Sequence, residues 1–171
     1  CSALDALCAS VRAARGCAKL VGGCVRDAVL GLPATDLDVE VYGIESTALV
    51  ELLSSQFPVD LVGESFGVIR LRDLPIDVSL PRRESKRGLG HRGFEIHSDP
   101  QLDPRDAASR RDFTINAIAL DPQSGRVFDP FGGVVDLENR VLRHTTEQFS
   151  EDPLRVLRGM QFAARFELQP A

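Results

Sequence analysis

Nowhere in these 171 residues is there an apolar run long enough to cross a bilayer, and no charged-then-apolar leader of the secretory kind opens the chain. From these absences neither a membrane span nor a secreted route is expected, and the expectation is a soluble protein of the cytoplasm. Metal-ligand spacing is lacking as well. Cys1, Cys8, Cys17 and Cys24 contain no C-x-x-C pair, and His91, His97 and His144 lie far from them in sequence, which excludes a zinc knuckle. Reduced thiols packed as small apolar side chains remain. An excess of basic residues is also missing, since the net charge is −5. Taken globally, that speaks against a nucleic-acid partner, whose phosphates favour basic surfaces. The sum misleads, because the arginines are weighted toward the second half and local charge decides. With 43% hydrophobic residues, the chain can bury one respectable core: a single domain and the beginning of a second.

What is present concentrates first in Leu20 to Gly43, LVGGCVRDAVLGLPATDLDVEVYG. The pattern predicts a strand from Cys17 to Val21, a glycine turn and a short helix ended by Gly31-Leu-Pro. A second strand then starts within Thr35 to Asp38, in which Asp36, Asp38, Glu40 and Tyr42 alternate with Leu37, Val39 and Val41. Alternate strand residues share a face, so Asp36 and Asp38 project the same way, roughly 6 to 7 Å apart. Two such carboxylates can share a cation, although a solvated acidic strand face carries the same alternation. Gly22-Gly23 shifts the balance. Tandem glycine between an apolar strand and a helix lets backbone N–H groups approach phosphate oxygens, with the positive end of the helix dipole behind them. Arg26, one turn into the helix, can add charge-assisted hydrogen bonds. A phosphate cradle followed by paired carboxylates suits a metal-bound nucleoside triphosphate.

The flanking sequence predicts an amphipathic helix over Ser2–Arg15, capped by Ser2 and stopped by Gly16, and another over Ser46–Phe57, capped by Ser46 and closed by Pro58. Short strands follow at Val59–Val62, Gly67–Leu71 and Ile76–Leu80, giving a mixed sheet with helices against it. Pro81 to Asp106 reads as a long polar working loop carrying Arg82, Arg83, Lys86, Arg87 and Arg92 among Gly88, Gly90 and Gly93, or else as a solvated excursion. Ser109 to Leu120 reads as a helix handing over to a buried strand. Arg111 and Asp112 stand at that junction, either to meet phosphate and ribose or to pair with one another. Gly132-Gly133 reads as a turn, because no carboxylate pair follows it; a short helix, Val134–Arg140, and a brief strand, Val141–Arg143, come next. A last helix opens at Ser150-Glu-Asp-Pro with Ser150 as its cap. On its wheel Asp152, Arg155 and Arg158 fall within a polar arc of roughly 120°, and Val156, Leu157, Met160 and Ala164 face the other way for packing. A carboxylate beside a guanidinium fork complements the edge of a base; an ordinary i to i+3 ion pair is the alternative.

The segments GGCVRD with DLD, then RRDFTINAIALD, DPFGGVVDLENRVLR and EDPLRVLRGMQFAARF, in that order from Leu20 to Phe166, resemble the motifs of the class II tRNA nucleotidyltransferases and bacterial poly(A) polymerases. The resemblance implies an α+β, polymerase-β-like nucleotidyltransferase head over 1–140, with a mixed β-sheet flanked by helices, followed by the beginning of an all-α neck over 141–171. It implies template-independent addition of CMP and AMP from CTP and ATP to the tRNA 3′ end, with Mg²⁺ ions held by Asp36 and Asp38. Asp77 is the candidate third carboxylate; its alternatives are an exposed strand-entry aspartate after Pro75, with Glu40 competing for the role. By the same resemblance Gly22, Gly23, Arg26 and Arg111 position the triphosphate and Asp112 meets the ribose. Asp152 and Arg155 select the base, and Arg158 adds a nucleotide contact. Asn116 supports the turn. Gln161 stands where many relatives carry arginine, and that contact is absent or supplied by Arg165. A poly(A) polymerase or a split CC-adding or A-adding enzyme shares nearly every motif, and a non-catalytic nucleotide- or RNA-binding module on the same fold is the alternative from another class. The helical body and tail that grip tRNA in that family do not appear here, so the expectation is a head with a partial neck.

Overall fold

The computed structural model describes residues 2–62, 67–86 and 94–171. In chain order its elements are α1 (Ser2–Ala13), β1 (Cys17–Val21), α2 (Gly23–Val29), β2 (Leu37–Tyr42), α3 (Ser46–Ser54), β3 (Val59–Val62), β4 (Val68–Leu71), β5 (Ile76–Ser79), β6 (Arg82–Lys86), β7 (Phe94–Ser98) and α4 (Pro104–Ser109). After a 3₁₀ turn at Thr114–Asn116 come β8 (Ala119–Leu120), β9 (Val127–Phe128), α5 (Gly133–Glu138), β10 (Val141–Leu142), α6 (Leu154–Phe166) and β11 (Gln169–Pro170).

A seven-stranded mixed sheet in the order β3-β4-β5-β2-β1-β8-β9 organises the α+β fold. Its parallel pair, β2 with β5, sets Asp38 beside Asp77 and Val39 beside Val78. Because side chains alternate across a strand, Val39, Val41 and Val78 enter the core while Asp38 and Asp77 face outward. That core is closed by Leu4, Leu7 and Val11 of α1 and Leu49 and Leu53 of α3, each contributing about 1.5 to 3 kcal/mol of apolar burial. A second cluster, Val25, Phe113, Ile115, Ile118, Leu137 and Leu142, joins α2 to the turn after α4, to α5 and to β10. The sheet therefore has a packed side and a polar side, and the polar side carries the site.

Several local expectations are corrected. Ser46 is the first helical residue of α3, whose cap position is Glu45 with no side-chain cap; Leu53 still accepts from Phe57 at 2.8 Å as the chain turns out. Ser2 already lies within α1. Arg15, not Gly16, takes the left-handed conformation (φ 63°) that ends α1. Gly16 is needed for space, since a Cβ there would lie 2.6 Å from Ile44 Cδ1 and 2.9 Å from the Tyr42 carbonyl oxygen. Pro81 to Asp106 is not one loop. Arg82–Lys86 and Phe94–Ser98 pair as an antiparallel ribbon, and Asp103 caps α4 by accepting from the Arg105 amide, with Pro104 in the first turn. Arg87, Gly88, Gly90, Arg92 and Gly93 lie outside the described residues.

The cap position of α6 is Pro153, with no side-chain cap, and just before it the Asp152 carboxylate accepts from the Leu154 amide at 2.9 Å. The Ser150 hydroxyl donates instead to the Glu147 carbonyl. The face expected to pack is open: Val156, Leu157 and Met160 are 55%, 60% and 66% exposed. Contact with the second cluster comes from Phe162, Ala163 and Phe166, and Gly159 admits the Phe113 ring to 3.0 Å of where its Cβ would stand. The wheel shows that α6 is two-faced, but Phe162 and Phe166, farther along the helix on the same side as the polar arc, decide which face seats. Among the described residues no helix is long and apolar enough to cross a membrane.

Candidate active site

The glycine turn comes first. Gly22 has φ 72° and ψ −134°, a combination open essentially to glycine alone. A Cβ there would stand 3.1 Å from Arg111 Nη1 and 3.7 Å from Asp38 Oδ2. The bare backbone thus passes between a guanidinium and a carboxylate, where a phosphate would be received.

Beside it, β2 and β5 present acidic side chains. Burial pushes the Asp38 carboxyl above its ordinary range, Arg111 opposes the shift, and the charges of Asp77 and Asp36 add to it. Arg70 grips Asp77 in a bidentate pair, Nε to Oδ1 at 2.8 Å and Nη2 to Oδ2 at 2.7 Å, and holds it below the usual carboxylate range. Glu40 accepts from the Tyr42 hydroxyl at 2.5 Å and lies 3.6 Å from Arg111 Nη2. Burial, followed by the Glu40 charge, keeps the Tyr42 phenol protonated well above its ordinary value. Asp36 precedes the strand, is exposed, and accepts from the Thr35 hydroxyl at 3.0 Å.

Two adjoining cavities share Asp38 and Arg111. The larger, about 540 Å³, is lined by Gly22, Gly23, Arg26, Asp38, Arg111, Asp112, Asn116, Asp152, Arg155, Arg158 and Phe162. The smaller, about 370 Å³, reaches Glu40, Asp77, Ser79, Arg82 and Arg110. Of the residues singled out from sequence, Asp77 and its competitor Glu40 lie in the smaller cavity and Asp36 lines neither; Gly22, Gly23, Arg26, Asp38, Arg111, Asp112, Asn116, Asp152, Arg155 and Arg158 meet in the larger one.

Within the larger cavity a hydrogen-bonded chain joins distant segments. Arg26, 5% exposed, donates from Nε and Nη2 to Asp27 and from Nη1 to Asn116 Oδ1 at 2.7 Å, leaving two of its five N–H groups for a ligand. Asn116 Nδ2 donates to Asp112 Oδ1 at 3.0 Å, and Arg158 Nε donates to Asp112 Oδ2 at 2.7 Å. Arg111 and Asp112 do not pair with each other, since the first faces Glu40 and the second Arg158. Arg155 Nη2 donates to the Arg110 carbonyl at 3.0 Å. Phe162 and Arg110 escaped sequence reasoning as site residues, and Arg82 was read there only as part of a working loop. Asn116 was read there only as a turn support, its partner Arg26 lying 90 positions away.

The second Gly-Gly is a turn. Gly132 is left-handed, and the Asp129 carboxylate already accepts from the Gly133 and Val134 amides, so these donors face no ligand.

Among the described residues no three His, Cys, Asp or Glu side chains gather closely enough to hold an ion by themselves. The donor chemistry still fits magnesium, which takes one or two carboxylates together with substrate phosphates. Asp38 and Asp77 stand side by side on parallel strands, the charges of Asp77 and Asp36 bear on Asp38 with Arg111 opposing them, and the glycine turn that would deliver phosphate is adjacent.

The Multifunctional CCA proteins of Tolumonas auensis and Xanthomonas campestris pv. campestris are each 48% identical to the chain, over 86% and 85% of its length and 34% of theirs. The chain therefore spans about a third of the curated relatives it matches. The Bacillus stearothermophilus CCA-adding enzyme in complex with CTP superposes with a TM-score of 0.80 at 27% identity, over 97% of this chain and 39% of that one. A tRNA-processing enzyme with CTP gives 0.77 at 30% identity, over 96% and 43%. Residues 18–143 match the Poly A polymerase head domain, glycine turn and carboxylate strands included, and the chain belongs to that family.

Proposed function

We propose that this chain is the catalytic head (1–140) and the beginning of the helical neck (141–171) of an enzyme that adds CMP and AMP, from CTP and ATP, to the 3′ end of tRNA without a template. The observation that carries the reading is the larger cavity, where the glycine turn and Arg111 stand on one side and Asp152, Arg155 and Arg158 of the last helix on the other. A triphosphate on the first side puts its base against the second. The names of the relatives support the same reading.

In this assignment Gly22 and Gly23 offer backbone donors to the phosphates, and Arg111 and the two remaining N–H groups of Arg26 add charge. Asp112 accepts three hydrogen bonds in the protein, which leaves one lone-pair direction for a ribose hydroxyl. Asp152 and Arg155 present an acceptor and donors to the base edge. Asp38 and Asp77, with Asp36 adding its charge beside Asp38 from outside both cavities, would hold Mg²⁺, which when bound supplies charge neutralisation for the attacking hydroxyl and the departing pyrophosphate. The RNA 3′-oxygen forms its bond to the α-phosphorus as the bond to pyrophosphate breaks, and the side chains contribute position and electrostatics. The smaller cavity, on the other side of Asp38, is the approach for that hydroxyl. The cytoplasm is the compartment we assign, where the free thiols Cys8, Cys17 and Cys24 remain reduced.

Extension of an RNA ending just short of CCA, with each triphosphate in turn and Mg²⁺ present, separates the readings. Incorporation of CMP and then AMP is the expected result. AMP alone points to an A-adding enzyme or a poly(A) polymerase, and UMP or GMP at comparable rates contradicts the base assignment.

A further inference from the structure

The hydrogen-bonded chain in the larger cavity closes into a ring. From Asn116 it runs one way to Arg26 (2.7 Å) and the other way through Asp112 (3.0 Å) to Arg158 (2.7 Å). The guanidinium carbons of Arg26 and Arg158 lie 5.2 and 5.4 Å from the centre of the Phe162 ring, which completes the circuit. Arg26 belongs to α2, directly behind the glycine turn, and Arg158 to α6, one turn beyond Arg155. Asn116, on the 3₁₀ turn between them, is 5% exposed.

We propose that Asn116 is a positioning residue for nucleotide selection: it fixes the base-facing edge of α6 relative to the triphosphate turn. The inference rests on the base-reading assignment above. The position demands an amide, because one side-chain atom accepts from Arg26 while its neighbour donates to Asp112; a carboxylate would only accept, and an aliphatic side chain would do neither. The Asn116 donor fixes Asp112 Oδ1, so that Oδ2 points at Arg158 Nε. The Asn116 acceptor ties that arrangement to α2. Base selection depends on donors and acceptors placed to within a fraction of an ångström, and a side chain that sets the separation of the two halves controls selectivity without contacting the base.

The test uses the full chain with Mg²⁺ and compares calorimetric affinities for CTP, UTP and inorganic tripolyphosphate in the native protein, Asn116→Ala and Asn116→Asp. The expected result is a fall of about tenfold or more in the preference for CTP over UTP, larger than any change in tripolyphosphate affinity that follows from the lost Arg26 contact. Retention of the native preference overturns the inference, as does an equal loss for all three ligands, which is what a merely structural residue would give. Should Asn116→Ala fail to fold, the isosteric Asn116→Asp, which still accepts from Arg26 and no longer donates to Asp112, decides by the same ratio. A native chain that binds CTP and UTP alike would bring down the base-reading assignment first and this inference with it.

Discussion

Asp38→Asn is expected to lower nucleotidyl transfer on the order of 10³-fold or more, as the loss of a preorganised charge at a reacting centre does, and to leave the fold intact. The side chain points away from the core into the space shared by both cavities, and no hydrogen bond that holds the sheet depends on its charge. The variant should also be slightly more stable than the native chain at neutral pH. Burial, with Asp77 and Asp36 nearby, raises the Asp38 carboxyl above its ordinary 3.8 in the folded state. The folded chain then binds more protons than the unfolded one between those two values, so native stability falls as pH rises through that window and the cost is complete above it. Asparagine has no such cost. The difference in thermal midpoint between variant and native protein should therefore be positive at neutral pH and vanish in acid below 3.8. Loss of activity with gain of stability marks a residue kept for chemistry; a variant that turns over normally would remove Asp38 from the site. Asp77 has the opposite linkage, because Arg70 lowers its pKa. Its pair, half open to solvent, contributes little, present above the ordinary carboxylate value and lost as pH falls.

The second large effect is on stability. Gly133→Ala should destabilise the chain by about 3 kcal/mol or more, at the upper end of what overpacking costs. The new Cβ would lie 2.2 Å from the Thr114 carbonyl oxygen, 2.7 Å from its carbon and 2.9 Å from Ile118 Cγ1. None of these can yield cheaply. The Thr114 carbonyl accepts from the Ala117 amide in the turn that carries Asn116, and its hydroxyl donates to buried Asp136 at 2.7 Å. The helix cannot back away, because Asp129 pins its first amides. For a chain of this size the shift in thermal midpoint is roughly 6 to 12 °C. Gly132→Ala is the control: a Cβ there meets nothing within 4 Å, so only the strain of its φ of 74°, about 1 kcal/mol, is expected. Equal effects of the two substitutions in thermal unfolding would contradict the packing account.

Local pattern carried much of the site. The glycine turn, the Asp38 strand and the Arg111-Asp112 junction are each set by a few adjacent residues, and periodicity places them. What escaped depends on contacts that no window contains. Alternation gave Asp36 the same face as Asp38, but pairing with β5 begins at Leu37, so Asp36 precedes the pleat and misses both cavities. The grip of Arg70 on Asp77 follows from the register of β4 against β5, which strand propensity does not fix. The wheel of α6 separated polar from apolar residues and missed that Phe162 and Phe166, farther along the helix on the same side as the polar arc, would seat the helix on Arg26. Arg82 and Arg110 reach the site only because the ribbon β6–β7 folds where the composition suggested a loop, the Arg110 guanidinium bonding the Arg82 carbonyl at the ribbon's start.

The central claim is that the glycine turn and the last helix together form one site for CTP and ATP. Calorimetric titration of CTP, ATP, GTP and UTP into the native chain with Mg²⁺ tests it most directly, because it reads the nucleotide site without an RNA substrate. The account predicts that CTP and ATP bind about tenfold or more tightly than GTP and UTP, as donors and acceptors matched to those base edges would require. Equal affinity for all four would mean that Asp152 and Arg155 do not read the base, and would contradict it.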